Sequence, residues 1–66
     1  MQIGDNVKFL GYIKEQVLWG NNDTPSMLIL DHVYEIVDVD VRRQHTKVQL
    51  KGIGGKFNSV HFQVID

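Results

Sequence analysis

The sequence predicts a small all-β fold: a five-stranded, strongly curved barrel with a single helical turn before its last strand. Three observations predict it. Nine Val, six Ile and five Leu stand beside not one Ala, and Val and Ile favour pleated structure whereas Ala is the best helix former. Short apolar runs recur between turn-rich ones along the chain, the pattern of several short strands. The one proline, Pro25, falls outside every strand-like run, as a sheet requires. Closure into a barrel would remove the exposed edges that such Val-rich strands otherwise present. Residues 1–66 read as one domain, and a chain this short buries only roughly 60% of its unfolded surface. It contains no cysteine, so neither a disulfide nor a Cys-based zinc site assists and hydrophobic packing must hold the fold.

The first strand is expected from Val7 to about Val17, with Val7, Phe9, Gly11 and Ile13 on one face and Lys8, Leu10, Tyr12 and Lys14 on the other. Apolar residues on both faces imply strong curvature, and Gly11 permits a bulge or bend there. A polar, turn-rich run from Gly20 to Ser26 follows, with Trp19 at its edge. So long a loop in so short a chain is a functional candidate, and Trp19 is either a lid over the core or a ligand anchor. Val33 to Val41 reads as the second strand, preceded by Leu28-Ile29-Leu30. Its odd face carries Val33, Val37, Val39 and Val41 and its even face Tyr34 and Ile36, so a bulge near Val37-Asp38 would switch the inward parity. After the polar connection Arg42 to His45, Val48 and Leu50 alternate with Lys47, Gln49 and Lys51 in a third strand. Gly52 to Gly55 supplies a flexible turn, Phe57 to Val60 a fourth strand, and Phe62 to Ile65 a fifth, with one tight helical turn over Ser59 to His61 between them.

A formal net charge of -1 conceals a segregated distribution. Every charged residue from Glu15 to Asp40 is acidic, and every one from Val41 to Ile65 is basic. The two halves offset each other if adjacent strands pair; otherwise the basic half forms a functional face. Met1 to Asp5 carries neither a basic nor an apolar leader segment, and no run approaches the roughly 20 apolar residues of a membrane span. A cytoplasmic location is expected.

Three segments carry a resemblance. Gly4-Asp5-Asn6-Val7-Lys8-Phe9 has the G-D-x-V-x-hydrophobic opening, Val33-Tyr34-Glu35-Ile36-Val37-Asp38-Val39-Asp40 matches a V-Y-E-V-x-x-V-D strand, and Phe57 to Ile65 forms an aromatic strand, a one-turn helix and a last strand. In this order they resemble small SH3-like β-barrel proteins common among phage and prophage genes, with a distant KOW-like opening. Two features depart from the pattern: Asp31 and His32 stand where a glycine usually precedes the V-Y-E strand, and the rest of the KOW glycine pattern is missing. Asp tolerates the left-handed conformation that such a turn demands. The resemblance implies a fold and a phage or prophage origin, and no particular activity.

No enzyme constellation is legible. Gly52-Ile53-Gly54-Gly55-Lys56 lacks the phosphate-loop spacing, Asp38 and Asp40 share a face without further ligands, and His32, His45 and His61 are scattered, so no metal or cofactor is expected. A non-catalytic binding module is the expectation, with an unidentified host or phage protein as partner. In SH3-like barrels the groove lies between the long first loop and the one-turn helix, which here implicates Tyr12, Trp19, Tyr34 and His61. The alternative partner is nucleic acid, with Arg42, Arg43, His45, Lys47, Lys51 and Lys56 tracking phosphates and Tyr12, Trp19 or Phe57 stacking bases.

Overall fold

A computed structural model describes residues 1–18, 23–43 and 45–65. Five strands, β1 (Asn6–Phe9), β2 (Val33–Val41), β3 (Thr46–Leu50), β4 (Ile53–Asn58) and β5 (Phe62–Ile65), form one antiparallel sheet in the order β4-β3-β2-β1-β5. A helix α1 (Lys14–Leu18) follows β1, and a 3₁₀ turn (Ser59–His61) links β4 to β5.

The register explains why each strand forms where it does. The chain enters β1 through a tight turn in which the Gln2 N–H donates to the Asp5 carboxylate at 2.8 Å, with Gly4 at φ +93°. In β2 the register shifts between Ile36 and Asp38, the expected bulge. Ile36 is fully buried before it, and Val39 packs against the core after it. Asp31 takes φ +66° ahead of β2, filling the role that a glycine would otherwise take. Val48 and Leu50 of β3 point inward as their alternation requires, and Phe57, Phe62, Phe9 and Val7 complete the buried cluster with Leu28. Fully burying side chains of this kind stabilises by roughly 1.5–3 kcal/mol each.

Three expectations need correction. The first strand stops at Phe9, because Gly11 takes φ +92° and ends the extended run. Beyond it Lys14, Glu15 and Gln16, all good helix formers, open α1, and the Gln16 side chain accepts the Ile13 N–H at 3.2 Å as one half of a capping box. The fourth strand begins at Ile53, so Gly54 and Gly55 lie inside it and the turn is Lys51–Gly52. Finally, the sheet is open in its pairing: β4 and β5 are its two edges. Asp23 occupies the free edge of β4, its N–H donating to the Lys56 carbonyl at 2.9 Å and its carboxylate accepting the Lys56 N–H at 2.8 Å. The two edge strands touch through side chains instead, with the Phe57 and Phe62 rings 6.5 Å apart.

Candidate functional site

The residues that interrupt the strand pattern build a groove. Leu10 and Tyr12 leave β1 as Gly11 turns the backbone, Ile13 caps α1, Leu30 comes from the segment before β2, and Val60 sits on the 3₁₀ turn. All five are exposed, and together they line a depression of about 530 Å³. A second depression of about 330 Å³ adjoins it, lined by Lys14, Val17, Leu18 and Thr24. Tyr12 lines both and forms the ridge between them. Exposed apolar side chains gathered in one concave place mark an interaction surface, whereas scattered ones need no explanation.

A hydrogen-bonded frame holds the walls. Asn58, almost fully buried, donates from Nδ2 to the Gln16 carbonyl at 3.0 Å and accepts the Val60 N–H on Oδ1 at 3.2 Å. One side chain thereby ties α1 to the 3₁₀ turn across the groove. The Leu10 N–H donates to the His61 carbonyl at 2.7 Å, and the Asp31 N–H to the Phe9 carbonyl at 2.9 Å, fixing the segments that carry Leu10 and Leu30. The Tyr34 hydroxyl accepts the Ile29 N–H at 2.9 Å while its ring packs against the core.

Of the three aromatic candidates among the described residues, Tyr12 lines the groove. His61 is fully buried beside it, the two rings meeting edge-on with centroids 6.1 Å apart, and burial lowers the pKa of its imidazole. Tyr34 braces the loop that carries Leu30. Trp19 lies outside the described residues. Phe57 is fully buried in the core and does not stack on a ligand.

The basic candidates are divided. Arg42 binds Asp40 through Nη2 at 2.8 Å and Nε at 2.9 Å, and Lys56 Nζ lies 3.9 Å from the same carboxylate oxygen. Lys47 stands opposite Asp40 in the β2–β3 register. Chiefly through the Arg42 hydrogen bond, with the nearby lysine charges adding to it, the Asp40 carboxyl is held below its ordinary pKa. The row Arg42, Lys47 and Lys56 is therefore laced by a carboxylate that stays ionised. Arg43 and Lys51 are exposed and His45 is half-buried in the connections flanking β3. Among the described residues no group of three His, Cys, Asp or Glu stands close enough to hold a metal ion, and no helix is long and apolar enough to cross a membrane.

Leu10, Ile13, Leu30, Val60 and Asn58 carry no functional signal in a strand-by-strand reading. Their common mark is that the apolar four stand outside the strand alternation, in segments where apolar residues have no core to face.

A small all-β protein with a framed apolar groove is the class that fold and site define. The profile of a phage protein family, described as Bacteriophage T4 protein Y07B, matches residues 10–66. The chain belongs to that family, and a phage origin follows. No curated protein and no solved structure matches it.

Proposed function

We propose that this chain is a non-catalytic, cytoplasmic phage accessory module that binds a host or phage protein through the groove astride Tyr12. One observation carries the reading: five exposed apolar side chains, Leu10, Tyr12, Ile13, Leu30 and Val60, converge on one depression, and a buried asparagine frames it. Apolar association favours a protein partner, because a nucleic-acid site is dominated by uncompensated cations. The strand order and the 3₁₀ turn before β5 support an SH3-like architecture, with the groove beside that turn. Asp40 weakens the nucleic-acid alternative by neutralising part of the basic row.

Capture from infected-cell extract tests the choice. Wild type is compared with Ile13→Asp/Val60→Asp and with Arg43→Glu/Lys47→Glu. A partner retained in high salt, lost with the groove variant and kept with the charge variant is expected. Salt-sensitive recovery of nucleic acid that depends on Lys47 and ignores Val60 overturns the reading.

A further inference from the structure

Against the inner side of the Tyr12 ridge stands a polar group with unmet demands. Among the described residues, neither Nδ1 nor Nε2 of the fully buried His61 has a hydrogen-bond partner. Two aromatic rings stand beside it, Tyr12 edge-on with centroids 6.1 Å apart and Phe62 with centroids 6.2 Å apart. Buried polar atoms are satisfied in the great majority of cases, so two orphans on one ring call for an explanation. The Tyr12 ring, edge-on to the imidazole, is the least enclosed of these three rings, 42% exposed.

We propose that Tyr12 is a gate and that His61 is the polar floor of a pocket which receives a tyrosine side chain of the partner protein. This rests on the groove reading above and specifies what enters the groove. A partly exposed side chain changes rotamer rapidly, so the gate opens without moving the sheet. The choice of occupant follows from elimination. A wholly apolar side chain would exclude water and leave both His61 nitrogens unsatisfied. A carboxylate or ammonium would lose its hydration among Leu10, Ile13, Leu30 and Val60. A phenol offers a ring to those apolar walls and a hydroxyl that both donates and accepts, so it satisfies a His61 nitrogen in either neutral tautomer.

Two probes that differ by one hydroxyl, p-cresol and toluene, test the pocket. Each is titrated into the isotope-labelled full chain, and the backbone amides of Leu10, Gly11 and Val60 and the ring nitrogens of His61 are followed by NMR. The expected result is that p-cresol moves the His61 ring nitrogens and binds about tenfold more tightly than toluene. That ratio corresponds to about 1.4 kcal/mol, the size of one net hydrogen bond. Tyr12→Ala should bind p-cresol more tightly than wild type, and His61→Phe should bind both probes equally. Should His61→Phe fail to fold, the ring-nitrogen shifts in Tyr12→Ala carry the test on the native imidazole. Equal affinity for the two probes with unmoved ring nitrogens, or no binding by either wild type or Tyr12→Ala, overturns the proposal. If Ile13→Asp/Val60→Asp still abolishes partner capture, the groove reading survives that failure; if capture is also unaffected, both fall together.

Discussion

His61 makes the stability of this protein depend on pH. Burial lowers its pKa from the ordinary 6.5, so below that value the unfolded chain takes up a proton that the folded chain refuses. Stability is therefore complete above about pH 6.5 and falls as the pH drops toward the lowered pKa. Urea midpoints measured from pH 7.5 to 5 should decline for wild type and stay flatter for His61→Phe; parallel curves would contradict this account. Asn58 is the other residue on which much depends, since one of its two hydrogen bonds reaches Gln16, 42 positions away in sequence. Asn58→Ala should cost roughly 1–3 kcal/mol, the range for an unmet buried partner, and should broaden the NMR signals of both Gln16 and Val60. At this scale the sequence was partly legible. The left-handed tolerance of Asp31 could be read from residue type alone. The burial of His61 could not, because the Tyr12 ring reaches it only once the chain leaving β1 is bonded to the 3₁₀ turn through Leu10.

Among the elements, β2 and β3 were readable and β1 and β4 were not. The conflicting parity of Tyr34 and Ile36 against Val39 encoded the β2 bulge directly, and Val48 and Leu50 encoded the inward face of β3. β1 misled because alternation runs on past Phe9 in residue type while Gly11 turns the backbone away. The helical propensity of Lys14, Glu15 and Gln16 was the signal that ran against the strand reading. In β4 the glycines resemble a turn, yet Gly55 serves a strand at φ +103°, where an added Cβ would lie 3.1 Å from Asp23 Oδ2 and 3.4 Å from Phe57 Cζ. Gly55→Ala should destabilise by about 1–3 kcal/mol through backbone strain. Asp23 gives way with it, so the Lys56 amide should lose protection from hydrogen exchange more than the Val48 amide does. Equal losses at both would place the strain elsewhere.

For the molecule as a whole, strand pairing brings the acidic and basic halves of the charge distribution side by side. The acidic β2 lies beside the basic β3, with Asp40 opposite Lys47 and bonded to Arg42. Asp40→Asn should release the row, so that the variant is retained longer than wild type on heparin at low salt and the difference vanishes as salt rises. Identical retention would show that the row is offset by other groups. Composition revealed a β protein that must economise on core, but not the strand order, because which strands become neighbours depends on connections whose conformations residue types leave open. Because β1 and β5 are antiparallel neighbours, Asn6 stands beside Ile65 at one end of the ribbon, while Leu10 and His61 are joined at the other. The start of β1 and the end of β5 thus lie together, separated from the groove by a ribbon about 13 Å long at four residues per strand. The Tyr12 groove and the Asn6–Ile65 pair therefore occupy opposite ends of one two-stranded ribbon, so a change at Ile65 reaches the groove only along β1 and β5.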